Sequence, residues 1–399
     1  MATQVRHPIW LPAVPPAGAR TFASLYGLES FARASIASVI PIQAYEILKS
    51  EQGVSILYTV VALLGLSATL FMPMLIARFS RRWVYTAGVA LLAFGSVLFL
   101  TGTLTGQLLG MLSRVMGASA LGITLNLYIM DHIKKTEFMR SESLRMAWSM
   151  LGWTAGPTLG ILLYTHFGII APHAAVIAFC SVLLALFWYY RLGDNKLIRP
   201  GKTRPANPLA NIGRFVAQPR LRLAWLIAFG RSCFWTTFFV YSPILMVVTG
   251  QGALAGGLLV SAGNALLFTA VFWGRAGKRF GARNIMSLAF FAMTGTLFAA
   301  GLCGERFPLV AGFFLLCCAC FAIALDALGS TAFMRAVRSY ERPQMSAVYR
   351  TYLDFSELLP PLAYSIVLAF FGLGGVFVSL GVFAAICGFL TWRYLPKSM

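Results

Sequence analysis

The sequence predicts an all-α membrane fold, with twelve transmembrane helices in two pseudo-symmetric six-helix bundles. Three observations predict it. The first is composition: of 399 residues, 59% are hydrophobic and only 11% charged, with a mean hydropathy of +0.77. A water-facing domain carries about 25% charged residues, so most of this surface must face something other than water. The second is the length of the apolar runs. Ile56 to Ile76, Trp83 to Leu104, Ala174 to Tyr190 and Phe307 to Leu325 each span about one hydrocarbon thickness as helix. The third is internal repetition: one half of the chain matches the other when slid by about 201 to 204 residues.

In order along the chain, the spans are expected over 20–46, 53–77, 83–104, 107–131, 143–167, 171–191, 221–248, 253–275, 284–303, 307–334, 346–371 and 374–395. Residues 1–192 form the expected first half, 193–219 a polar, Pro-containing central loop, and 220–399 the second half. The lead-in from Met1 to Arg20 is Pro-rich and lacks the apolar core and cleavage site of a signal peptide. Orientation follows from Lys and Arg in the connections. One side receives Arg78, Arg81 and Arg82, then Lys134, Lys135 and Arg140, then the central-loop cations from Arg191 to Arg222. The same side receives Arg275, Lys278, Arg279 and Arg283, and Arg335, Arg338 and Arg342. The other side offers only Lys49 and Arg306. That split puts both termini in the cytoplasm, in the inner membrane if the source is bacterial.

It also accounts for the net charge of +20, held beside anionic headgroups. Nucleic acid is not an expected partner, because the basic residues cluster between apolar runs and the aromatics lie inside those runs. Of seven cysteines, Cys317, Cys318 and Cys320 lie in one apolar run and the other four are scattered; neither they nor the four dispersed histidines match a zinc spacing. There is no Gly-rich phosphate loop and no nucleophile elbow. No enzyme activity, metal or cofactor is expected.

The repeat carries the motifs. Pro73 to Arg82 falls on Gly274 to Arg283, so that Arg78-Phe79 aligns with Arg279-Phe280 and Arg82 with Arg283. Pro157 falls on Pro361, and Phe167-Gly168 on Phe371-Gly372. In the fifth span Gly152-Trp-Thr-Ala-Gly156-Pro157-Thr-Leu-Gly160 places glycines four apart, baring one helix face for close approach. Pro157 removes a backbone donor and bends the helix. The matching place in the eleventh span reads Ser356-Glu357-Leu-Leu-Pro360-Pro361, an expected break without the glycine face.

These features resemble the major facilitator superfamily. The loop of Arg78, Arg81 and Arg82 is similar to that family's G-x-x-x-D-R-x-G-R-R/K signature, with Pro73, Ala77 and Ser80 departing from it. Gly274, Arg279, Gly281 and Arg283 match it in the second half, where Lys278 replaces the Asp. The Asp normally joins a charge relay between the halves, so the resemblance leaves that relay in question. Arg114-Val-Met-Gly117 in the fourth span resembles a context associated with proton coupling, and the fifth-span motif resembles the family's antiporter signature G-x-x-x-G-P-x-x-G. The alternatives are a plain basic loop, an arginine snorkelling to the interface, and a generic packing motif.

Ionisable residues inside spans are functional candidates, because an arginine at the bilayer centre costs about 2.5–3.5 kcal/mol on insertion scales. Glu29 and Arg33 lie one turn apart in the first span. Arg231 lies in the seventh, Asp326 in the tenth, and Arg350, Asp354 and Glu357 in the eleventh. In the resembled family spans 1, 4, 7 and 10 line the central cavity, which implicates Arg33, Arg114, Arg231 and Asp326. Asp326, joined by Glu357 or Asp354, is the expected proton site. Arg33, Glu29, Arg231, Trp235, Tyr128 and Asn126 are the expected substrate contacts. Trp148, Trp153, Phe234, Phe238, Tyr241 and Met246 are further pocket candidates, while intrahelical pairing is the alternative for Glu29–Arg33 and Arg350–Asp354. Arg114, Asp131, Glu142 and Arg145, with Arg78, Arg82, Arg279 and Arg283, are expected to gate, or else to form solvated helix ends. His166 and His173 read as loop histidines near the outer face.

The expected function is proton-coupled export of a small amphipathic or anionic molecule by alternating access, by a monomer in the lipid bilayer. Uptake by symport, and a non-transporting assembly factor or receptor on the same fold, are the alternatives.

Overall fold

The computed structural model describes residues 18–133, 137–190, 208–337 and 341–396. Among them the chain is helical and contains no strand. The first half comprises α1 (Ala19–Ser35), α2 (Val39–Leu48), α3 (Glu51–Arg78), α4 (Arg81–Phe99), α5 (Leu104–His132), α6 (Phe138–Phe167) and α7 (Ile170–Tyr189). A short helix, α8 (Pro208–Val216), lies within the stretch expected as an irregular central loop. The second half comprises α9 (Pro219–Val248), α10 (Gly252–Ala265), α11 (Ala270–Phe280), α12 (Ala282–Cys303), α13 (Pro308–Ala336), α14 (Arg342–Tyr349), α15 (Thr351–Phe370) and α16 (Leu373–Tyr394).

Ten of these segments are long and apolar enough to cross a membrane. The two expected spans that miss that criterion are the first, divided into α1 and α2, and the fifth, α6. The division of the first span has a local cause. The Ser35 hydroxyl donates to the Phe31 carbonyl at 2.5 Å in the last turn of α1. Pro41 then lacks the N–H that would continue the ladder from Ala37. The eighth span is also interrupted, by one 3₁₀ turn at Leu266–Thr269 between α10 and α11. The expected Pro-Pro break in the eleventh span does not occur: α15 runs unbroken through Pro360 and Pro361. Both prolines are buried against neighbouring helices, the setting in which a membrane helix tolerates lost backbone bonds.

In the first half α1 packs on α6 and α7, and α4 on α5 and α7. In the second half α12 packs on α13 and α16, and α9 on α13, α15 and α16. The halves meet through α6 with α10, α3 with α15, and α2 with α9. From the first span it is α2, the segment farther from the basic loops, that packs on α9. Among the described residues, these inter-half hydrogen bonds lie on that side too. Gln52 donates to the Ser365 carbonyl at 3.1 Å, Ser55 bonds Tyr241, and the Thr158 hydroxyl meets that of Ser261 at 2.7 Å. Among the described residues the two bundles are therefore joined at the end away from the basic loops.

Candidate functional site

The interior between the halves is built from charged side chains on α1, α5, α9, α13 and α15. On α1, Arg33 pairs with Glu29 at 3.2 Å, as the one-turn spacing predicts; Glu29 is 1% exposed and Arg33 31%. Arg114 reaches from α5 to the Arg33 backbone carbonyl at 3.3 Å. That carbonyl lies in the last turn of α1, where helical carbonyls lack partners and a cation is favoured by the dipole. Arg114 makes no other hydrogen bond among the described residues, and its Nε is buried without a partner.

Asp326 is not the isolated carboxylate its own helix suggests. Arg231 of α9 pairs with it at 2.7 Å, and the Trp235 indole donates to its second oxygen at 2.9 Å. The far side of the Arg231 guanidinium donates to the Tyr352 hydroxyl at 3.1 Å. Arg231 and Trp235 stand one turn apart on α9, so both reach Asp326 from one face. Charge-assisted bonds of this kind contribute roughly 1.5–3 kcal/mol each. Asp326 is a fixed member of a second-half network, which argues against it as the primary proton carrier.

Glu357 is the contrasting carboxylate. It is exposed although it lies in the middle of α15, and it makes no hydrogen bond or ion pair among the described residues. The charges acting on it are Asp354 on its own helix and Arg33 and Arg114 from the opposite half. Both arginines belong to the first half, so Glu357 is a second-half carboxylate acted on by first-half cations. Arg350 is exposed and forms no ion pair with Asp354 among the described residues.

Nearer the basic loops, Arg145 ties three helices of the first half together. It donates to Asn126 at 2.6 Å and to Glu142 at 2.8 Å, and lies over the Tyr26 ring at 4.8 Å. The Asn126 amide oxygen is thus held by Arg145. Tyr128 departs from expectation: it is 1% exposed and packs on Phe187 of α7, outside the interior space. Phe234, Phe238, Tyr241 and Met246 are core residues, each 2% exposed or less. Trp153 and Trp235, by contrast, are bridged by Phe239, at 5.3 and 5.9 Å between ring centroids, making an aromatic row across the halves. His173 is buried in α7, bonded to Gln43 at 3.2 Å, rather than in a loop.

The glycine face of α6 is present but turned within its own half. A Cβ on Gly152 would lie 3.1 Å from the Phe31 nitrogen, and one on Gly156 2.6 Å from the Ala34 Cβ. A Cβ on Gly160 would coincide with the Ser35 carbonyl oxygen. All three face α1. The opposite side of the same turn, at Pro157, Thr158 and Ile161, meets Gly257 and Ser261 of α10 in the second half. One residue set thus seats the broken first span while its reverse side forms the contact between halves.

Arg78 is exposed. Arg82 lies over Trp83, which meets Trp188 of α7 edge to face, and Arg279 lies over Phe280. Arg283 donates to the Trp392 carbonyl, capping the end of α16. The repeat thus places an arginine at the start of α4 and α12, beside the end of α7 and α16. The side chain of Asp131 lies outside the described residues.

A family model described as Major Facilitator Superfamily matches residues 22–351. The chain belongs to the major facilitator superfamily. Solved structures of that architecture cover nearly the whole chain. A POT family transporter in complex with 5-aminolevulinic acid has a TM-score of 0.75 at 13% identity, covering 96% of each chain. The nucleoside transporter NupG has 0.69 at 14%, covering 94% of this chain and 99% of its own. A bacterial homologue of the iron transporter ferroportin, in an inward-facing state, has 0.70 at 14%, covering 94% and 98%. No curated protein matches the sequence. The superfamily assignment makes this a multi-pass membrane protein of a secondary-transporter family.

Sequence reasoning missed Tyr26, Phe239 and Tyr352. Tyr26 carries a readable signal, since it shares a helix face with Glu29 and Arg33. Phe239 and Tyr352 carry none, because their roles are set by neighbours on other helices.

Proposed function

We propose that this superfamily member couples protons to the movement of a small organic molecule bearing a negative charge. Arg33 and Arg114 would bind the anion, and Glu357 would carry the proton. The observation that supports this reading most is the unpaired Arg114 facing, with Arg33, an unpaired Glu357 in the other half. A guanidinium offers planar, bidentate donors to carboxylate or phosphate. When Glu357 is ionised it competes with the anion for the same field. When it is protonated the arginines are open to the anion. Proton and anion therefore favour the same state, and by linkage each raises the affinity for the other. Such positive coupling favours movement of both in one direction.

Export by antiport is the second reading, and the glycine face of α6 supports it through its likeness to the antiporter signature. Antiport requires substrate and proton to exclude one another, which fits a substrate with a cationic group competing for Glu357. The one-sided basic loops support cytoplasmic termini. With that orientation, bundles joined away from those loops correspond to an inward-facing state.

The test is a thermal-shift screen of the purified protein against metabolites and drugs between pH 5 and 8. Anionic ligands should stabilise the protein more strongly as pH falls. Glu357→Gln should bind them strongly at every pH, and Arg114→Gln should bind weakly at every pH. Ligands whose binding tightens as pH rises, and weakens in Glu357→Gln, would instead establish the antiport reading. Anion binding that ignores both pH and Glu357 would refute the coupling site.

A further inference from the structure

The aromatic row of Trp153, Phe239 and Trp235 crosses the boundary between the halves, and each of its rings is only half-buried. On α9, Arg231, Trp235 and Phe239 recur every fourth residue and so share one face. They stay half-buried while Phe234 and Phe238 beside them are buried, so this face looks away from the core of the second half. On α6, Trp153 stands at the middle of the helix, one turn before Pro157 and on the side that meets the second half. Its indole N–H makes no hydrogen bond among the described residues and, unlike that of Trp273, is not buried. The Trp235 N–H is already given to Asp326. Trp153 therefore brings an accessible ring edge and an unused donor to the row. The first-half cation Arg33 stands at the same height. Gly152 of α6 abuts Phe31 of α1, and Gly156 abuts Ala34, so Arg33 leaves α1 level with the place where Trp153 leaves α6. Packed helix axes lie about 8–10 Å apart, so one small molecule can reach both side chains.

We propose that the substrate carries an aromatic ring as well as its negative charge, and that the ring lodges against Trp153 and Phe239 while the anion meets Arg33 and Arg114. This assignment rests on the anion reading of those arginines and adds the part of the substrate they do not recognise. The ring centroids lie 5.3 and 5.9 Å apart at tilts of 59° and 31°. A planar guest extends such a row through offset or edge-to-face contacts, and a saturated ring of the same size does not. Tryptophan and phenylalanine also have few rotatable bonds, so they hold their faces ready at little entropic cost. Trp153 belongs to one half and Phe239 to the other, so the ring touches both of the bodies that move in alternating access.

The purified full chain tests the assignment by thermal shift, with phenylacetate and naphthylacetate each titrated against its ring-saturated counterpart. Every probe carries a single carboxylate, so the ratio of aromatic to saturated affinity isolates the ring. The aromatic anions should bind roughly fivefold more tightly or better. Trp153→Leu and Phe239→Leu should each bring the ratio close to unity, and Trp153→Phe should keep most of it. A merely structural row would lower stability in the leucine variants and leave the ratio unchanged. If a leucine variant fails to fold, the ratio in the native chain still decides. Equal affinity for the aromatic and saturated probes, no binding of either aromatic anion, or an unchanged ratio in folded Trp153→Leu would each overturn the proposal. The two readings fail separately. Equal ratios with binding lost in Arg114→Gln would leave the anion site standing and remove the aromatic one. An aromatic preference with affinity unchanged in Arg114→Gln would do the reverse.

Discussion

Asp326 and Glu357 are both carboxylates inside the bundle, yet their surroundings assign them different work. Asp326 is held by Arg231 and Trp235, so removing its charge leaves a partly buried guanidinium unanswered. Asp326→Asn should lower the melting temperature at every pH, and adding Arg231→Gln should recover part of the loss. A double-mutant cycle measures that coupling, expected at roughly 1.5–3 kcal/mol. Glu357→Gln removes a charge that has no bonded partner, so its melting temperature should stay within a degree or two of the native value. A stability loss in Glu357→Gln as large as that of Asp326→Asn would contradict the distinction. The pair Glu29–Arg33 was legible in the sequence because helical spacing places both on one face. The pair Arg231–Asp326 was not, because its members come from α9 and α13 and only tertiary packing brings them together. Tyr128 misled for the same reason: its position on a cavity-lining span is readable, but the direction in which it points is not.

Among the helices, α1 and α6 fit each other most tightly. The three glycines of α6 approach α1 with decreasing clearance from Gly152 to Gly160. Alanine substitutions should therefore be graded. Gly152→Ala should cost about 1 kcal/mol, Gly156→Ala more, and Gly160→Ala roughly 3 kcal/mol or more, because its Cβ meets backbone that cannot yield. Thermal unfolding in detergent reads the series, and equal losses at the three positions would count against the packing account. The spacing of these glycines was plain in the sequence, and so was the close helix contact it implies. Which helix they contact was not: the face seats α1 of the same half, while the reverse side at Thr158 meets α10. Span positions were readable for a simple reason, since apolar length is a property of consecutive residues. The division of the first span turns on local residues such as Pro41, and the continuity of α15 through Pro360 and Pro361 on the helices packed around it; the sequence reading expected an undivided first span and a broken eleventh.

For the molecule as a whole, alternating access requires the contacts between the halves to open. Thr158 and Ser261 place their hydroxyl oxygens 2.7 Å apart across that boundary, within the reach of a disulfide between cysteines at the two positions. Thr158→Cys/Ser261→Cys should cross-link under oxidation and stop transport, and a reductant should restore it. Continued transport by the oxidised, cross-linked protein would mean that this boundary does not open. The broken first span also bears on how the chain enters the membrane. Its α1 segment carries Glu29 and Arg33, and Ser30 bonds Ser149 of α6 at 3.0 Å. The two spans that fall short in apolar length are thus the two that pack against each other. Neither is a strong insertion signal alone, and three spans separate their synthesis. The first span should therefore remain weakly committed to the bilayer on the ribosome until α6 emerges to cover its polar face. A nascent chain halted before α6 should leave α1 open to protease or to quality control, and one halted just after α6 should protect it.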